Sequence, residues 1–72
     1  MDRETDRRTF VVDAADAGCR LDKFLAQRVG EVSRSVIQGL ARAGKVRLNA
    51  SPAGPSARLA AGDTVVIEVP AT

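Results

Sequence analysis

Leu21, Phe24, Leu25 and Val29 fall at i, i+3, i+4 and i+8, the spacing of one apolar face of an amphipathic helix. Asp22 lies in its first turn, where the helix dipole favours an anion, and Gly30 follows the last periodic residue as a candidate C-terminal cap. A second helix is predicted from Ser33, a good N-cap residue, with Val36, Ile37, Leu40 and Ala41 as its apolar face and Gly44 as its end. Val36 stands where a capping box would place Glu or Gln. Gly39, inside this helix, costs about 1 kcal/mol relative to alanine.

Strand signals flank the two helices. Thr9 to Asp13 is a short β-prone run. Lys45 to Leu48 alternates charged and apolar, with Val46 and Leu48 facing in. Thr64 to Val69 is β-branched at five of six positions and is stopped by Pro70. Between these runs, Ala14 to Gly18, Asn49 to Pro52 and Ala60 to Asp63 read as turns, and Pro52 to Pro55 as a loop. Residues 1–8 read as a flexible charged lead and residues 71–72 as the start of a linker or tail. The predicted order is β, α, α, β, loop, β: one α+β domain over residues 9–70.

Composition narrows the possibilities. With 72 residues there is room for one small core, not for a deep enclosed pocket. No apolar run approaches the length of a membrane span, and the charged Met1–Arg8 segment is not the pattern of a secretory leader. A single cysteine, Cys19, fits a reducing compartment, so a cytoplasmic location is expected. Without histidine there is no Cys-His nucleophile and no zinc finger; no cofactor and no metal are expected, and Cys19 reads as a small packing residue. Gly62-Asp63 reads as a turn before a strand rather than as a carboxylate site.

Charge is polarised along the chain. Residues 20–47 carry seven basic and two acidic side chains, while the segments on either side are net acidic. On a helical wheel, Arg34, Gln38 and Arg42 lie within about 80° of one another, and Lys45 leaves the helix end near the same side. Val36, Ile37 and Leu40 lie opposite, so the polar stripe is expected to face away from the core. Ser33 and Ser35 place hydroxyls beside the first-turn N–H groups, a natural phosphate site that arginine strengthens by bidentate donation. A solvated helix face, with Arg34 merely paired to Asp22 or Glu31, is the plainer alternative. Phe10 and Phe24 are the only aromatic residues and both are at core-facing positions, so bases have no exposed ring to stack on. The target expected from this is structured RNA bound through its backbone.

The run Gly18-Cys19-Arg20-Leu21-Asp22-Lys23-Phe24-Leu25-Ala26, then Ser33-Arg34-Ser35, then Gly44-Lys45-Val46-Arg47-Leu48-Asn49, then Gly62-Asp63-Thr64-Val65-Val66-Ile67, resembles the RNA-binding module named after ribosomal small-subunit protein four. The resemblance covers residues 10–70. The lead Val11 to Gly18, the Ser-Arg-Ser block and the closing Val69-Pro70 are most similar to the version at the N-terminus of RluA-type ribosomal pseudouridine synthases.

The resemblance implies a two-helix αL RNA-binding motif packed on a small, mostly antiparallel sheet. It implies docking on structured RNA, large-subunit rRNA in particular, as a monomeric module with a separate C-terminal catalytic domain in the parent protein. By position it implies RNA contacts from Arg20, Ser33, Arg34, Ser35, Gln38, Arg42 and Lys45, with Asp22 orienting Arg20 or Arg34. Arg20-Leu21-Asp22 echoes the synthases' catalytic Arg-Leu-Asp, but the chain continues Lys23-Phe24-Leu25 instead of Thr-Ser-Gly, so no catalytic role is expected in this chain. One departure stands out: where the family places Asn-Gly in the turn after the first basic strand, this chain has Asn49-Ala50. Either the turn differs, or Ala50 is strained at positive φ. Two other functions fit the sequence, a stand-alone rRNA-binding protein and a protein-interaction module built on the Gly62–Val69 strand.

Overall fold

A computed structural model describes residues 5–70 of the chain. Strand β1 (Thr5–Val11) leads through a 3-10 turn (Ala14–Asp16) to helices α1 (Leu21–Arg28) and α2 (Arg34–Arg42). Strands β2 (Val46–Leu48), β3 (Ser51–Pro52) and β4 (Thr64–Pro70) follow. The four strands form one antiparallel sheet in the order β1-β4-β2-β3. This is the expected α+β arrangement of two helices on a small sheet. Among the described residues, no helix is long and apolar enough to cross a membrane.

The sheet extends further than the sequence pattern suggests. β1 pairs with β4 from Thr5 opposite Pro70 to Val11 opposite Thr64, so residues 5–8 of the predicted flexible lead belong to a strand. Their charges hid the strand, because β1 is an edge whose polar side chains need no burial. Met1 to Glu4 and the predicted tail at 71–72 lie outside the described residues.

The core gathers between the helices and one face of the sheet: Leu21, Phe24, Leu25 and Val29 from α1, Ile37 and Ala41 from α2, and Val46, Val65, Ile67 and Val69 from the strands. Phe10 meets Phe24 edge-to-face at 6.2 Å, so both rings are turned inward as expected. α2 is rotated relative to its predicted orientation. Ile37 and Ala41 are buried while Val36 is 48% exposed, so the buried stripe is turned toward Ala41. That stripe runs at i, i+3, i+7 from Arg34, which brings Arg34 and Gln38 to the edge of the core.

The helix ends follow local chemistry. Ser33 caps α2 by accepting a 3.3 Å hydrogen bond from the Val36 N–H. α2 closes in a Schellman motif, with Lys45 N–H donating to Leu40 C=O at 2.9 Å, Gly44 N–H to Ala41 C=O at 3.2 Å, and Gly44 at φ +80°. Gly30 does not play the corresponding part for α1; the cap residue there is Val29, and Gly30 is not left-handed.

The Asn49-Ala50 turn is the two-residue loop of the β2–β3 hairpin, with Leu48 opposite Ser51. Both turn residues have positive φ, 52° and 71°, the signature of a type I′ turn. Alanine is therefore held where glycine is preferred. Asn49 anchors the turn: its N–H donates to Thr64 C=O at 2.8 Å, its Nδ2 donates to Asp63, and its Oδ1 accepts from the Thr64 N–H at 2.9 Å.

Two substitutions should stabilise the domain. Ala50→Gly removes the positive-φ strain and should raise unfolding free energy by about 0.5–1 kcal/mol. Gly39→Ala adds a methyl that meets nothing within 4 Å on an exposed helical position, and should add about 0.5–1 kcal/mol. Each is checked by urea or thermal unfolding, where about 1 kcal/mol corresponds to a rise of roughly 4–8 °C in a domain of this size. A midpoint unchanged or lowered by Ala50→Gly would contradict the strained turn.

Candidate nucleic-acid interface

The first turn of α1 buries a charge. Asp22 is 0% exposed, the single charged side chain within the core among the described residues. Burial of a carboxylate is tolerated only when charge and hydrogen bonds compensate it, and here the compensation comes from three directions. Gln38 Nε2 donates to Oδ2 at 2.9 Å, and the Lys23 N–H donates to Oδ1 at 2.8 Å. Arg34 contributes Nη2 to Oδ1 at 3.4 Å and Nε beside Oδ2 at 3.2 Å. Arg20 contributes Nη2 to Oδ2 at 3.3 Å, with its Nε 3.3 Å from Oδ1 in ion-pair range but out of line for a hydrogen bond.

Burial alone would push the Asp22 carboxyl up. The hydrogen bonds from Gln38 and Arg34 and the charges of Arg20 and Arg34 outweigh it, and the group lies below its ordinary value. One carboxylate thus faces two guanidinium groups whose side chains stay 42% and 47% exposed. The cluster keeps a net charge of about +1 and turns it to solvent.

Arg34 and Gln38 therefore do not point away from the core, as the helical wheel suggests; they are rooted in it through Asp22, because α2 is rotated toward Ala41. Glu31, the other partner proposed for Arg34, is taken by Arg8 of β1, whose hydrogen bond holds the Glu31 carboxyl below its ordinary value. Ser33 and Ser35 are exposed at the N-terminus of α2, beside first-turn N–H groups that have no intrahelical acceptor. Arg42 and Lys45 are exposed at the other end of this nine-residue helix, about 13 Å away. The predicted set thus divides into an anchored group, Arg20, Arg34 and Gln38, and a solvated group, Ser33, Ser35, Arg42 and Lys45.

The remaining cations sort by partner. Arg28 is drawn off by the acidic turn after β1, bonding Asp16 at 2.5 Å and lying 3.8 Å from Asp13, and its guanidinium sits 5.0 Å over the Phe24 ring. Among the described residues Arg7, Lys23, Arg42, Lys45, Arg47 and Arg58 make no ion pair. Arg58 is a basic residue beside the Asp22 cluster that sequence reasoning did not connect to it. It comes from the loop before β4, yet forms an isolated antiparallel bridge with Arg20. The pairing spans 38 residues and has no local signal. No three His, Cys, Asp or Glu side chains among the described residues converge on a metal site.

Comparison with known proteins adds to this geometry. Residues 19–65 match the S4 domain family. The chain is 41% identical over 68 residues to "Ribosomal large subunit pseudouridine synthase C" of Salmonella typhimurium, an alignment covering 93% of this chain and 21% of that protein. It is 39% identical over 56 residues to proteins of the same name from Yersinia pestis and Vibrio vulnificus, covering 78% of this chain and 18% of each. The chain thus spans about a fifth of the length of these relatives.

The Asp22 cluster sets a pH dependence. With its folded pKa below the ordinary 3.8, the Asp22 contribution to stability is complete above that pH and is lost as the pH falls beneath it. Asp22→Asn should cost about 2–3 kcal/mol near pH 7, since two arginines lose their counter-charge. It should also flatten the loss of stability on acidification to about pH 3; what remains of the acid dependence would include Glu31 and Asp63, which are likewise held low. Urea midpoints of both proteins across that range measure it. Parallel acid profiles would remove Asp22 from the account.

Proposed function

The chain belongs to the S4 domain family, and from that premise we propose that it is the RNA-docking module of a ribosomal pseudouridine synthase, working on large-subunit rRNA in the cytoplasm. The observation that carries this reading is the Asp22-rooted guanidinium pair of Arg20, before α1, and Arg34, at the start of α2, together with Arg42 at the end of α2 and Lys45 beyond it, which make no ion pair among the described residues. Phosphate contacts by arginine need a planar fork held in place, and Asp22 holds two of them. Unpaired lysine and arginine beyond them supply the salt-dependent attraction of a polyanion. Both phenylalanine rings face inward, which favours binding through the backbone of a folded RNA over stacking of splayed bases.

In this reading the isomerisation of uridine is carried out elsewhere in a longer protein, and these residues deliver the RNA to it. Asp22 is not the nucleophile that its Arg-Leu-Asp setting suggests, because a carboxylate with no exposed surface and all of its oxygens engaged cannot reach a substrate.

The test uses the solvated cations, because Arg34→Glu would set a carboxylate against buried Asp22 and unfold the site. Arg42→Ala with Lys45→Ala should weaken binding of a labelled rRNA hairpin about tenfold near 0.1 M salt and lower the slope of log affinity against log salt by about two. The melting temperature should not change. In the full-length protein the same pair should raise KM for rRNA and leave kcat unaltered. Unchanged affinity in the double variant would sink the proposal.

A further inference from the structure

Three hydrogen bonds lock the loop before β4 against the start of α1. Leu21 N–H donates to Ala57 C=O at 2.8 Å, Leu59 N–H to Cys19 C=O at 3.0 Å, and Gly18 N–H to Leu59 C=O at 2.7 Å. Asp22 N–H adds a fourth to Pro55 C=O at 3.1 Å. The first two flank Arg20 and Arg58, making them a non-hydrogen-bonded antiparallel pair. In such a pair the Cα atoms are about 4.5 Å apart and the side chains approach most closely. Leu59 is 3% exposed, so the backbone carrying Arg58 is fixed by the core rather than free to swing away.

Two arginines in that position repel each other, and like charges directly opposite in a sheet are destabilising. Among the described residues the charge is only partly answered. Arg20 shares Asp22 with Arg34, while Arg58 donates Nη1 to Gly18 C=O at 3.0 Å and makes no ion pair among the described residues. The remaining carboxylates with ion pairs belong to Arg8 and Arg28. A guanidinium has five N–H donors, and Arg58 uses one.

We propose that Arg58 and Arg20 form a second phosphate-binding point for the RNA backbone, on the loop side of the Asp22 cluster and separate from the Arg42–Lys45 end of α2. The proposal rests on the RNA-docking reading. A bound phosphate relieves the repulsion between the two guanidinium groups, so the pair is retained at a cost to the free protein that the complex recovers. The two ends of the surface then straddle the N-terminus of α2, and the RNA strand is held at both.

The experiment is fluorescence anisotropy of the 72-residue chain with a labelled rRNA hairpin over a range of salt, beside thermal melts. Arg58→Gln should weaken binding about five- to tenfold near 0.1 M salt and lower the salt slope by about one. Its melting temperature should stay level or rise, because the repulsion is gone. Arg58→Lys should recover most of the affinity. Arg58→Gln binding as tightly as the parent, while Arg42→Ala with Lys45→Ala binds weakly, overturns this inference and leaves the RNA-docking reading standing. A fall in affinity that tracks an equal fall in melting temperature also overturns it, since the residue would then be structural. Failure of the parent chain to bind overturns both.

Discussion

A negative charge buried at the start of α1 governs the geometry of this surface. Asp22 has no contact with water, so its stability depends on donors that other elements must deliver. Arg20 comes from the turn before α1, the Lys23 N–H from the helix itself, and Arg34 and Gln38 from α2. Satisfying the carboxylate therefore ties the two helices together at their N-terminal ends. The same bonds hold two arginine side chains that would otherwise sample many rotamers, each of which would lose up to about 2 kcal/mol of entropy on binding a ligand. A stability requirement of the core thereby prepares a surface for anions.

The rest of the charge follows from that arrangement. Among the described residues, Asp6, Asp13 and Asp16 of the net-acidic N-terminal segment pair with Arg8 and Arg28. Arg42 of α2, Lys45 after it and Arg47 of β2 have no ion-pair partner among the described residues and keep their charge for solvent. In the proposed RNA-docking reading, binding of a polyanion would draw on this unbalanced set, and the salt dependence of the interaction would measure how many of them take part.

Much of the fold was legible from periodicity. Both helices, the Ser33 cap and the Gly44 terminus fall where spacing and capping chemistry put them, because those signals are local. Strand β1 was only half visible: its outer residues Asp6, Arg7 and Arg8 are polar, and only pairing with β4 makes them a strand. The rotation of α2 is not visible on a wheel, which weights Val36 as heavily as Ala41, whereas in the structure Ala41 is buried and Val36 is half in water. The pairing of Asp22 with Arg20 and Arg34 was readable; the direction of Arg34 and Gln38 was not, since it depends on where a carboxylate twelve and sixteen residues earlier is buried. Arg58 was invisible for the same reason at greater range.

The absence of exposed rings decides what kind of recognition this surface supports. Without stacking platforms, sequence-specific capture of splayed bases has no structural basis among the described residues. What remains is a set of guanidinium groups fixed by a buried carboxylate and by a loop bonded to the start of α1. Fixed forks reward a ligand whose phosphates already lie at matching positions, which a folded RNA provides and a flexible strand does not. In the RNA-docking reading proposed above, selectivity on such a surface would come from the shape of the RNA backbone, and the rigidity that confers it would originate in the packing around Asp22.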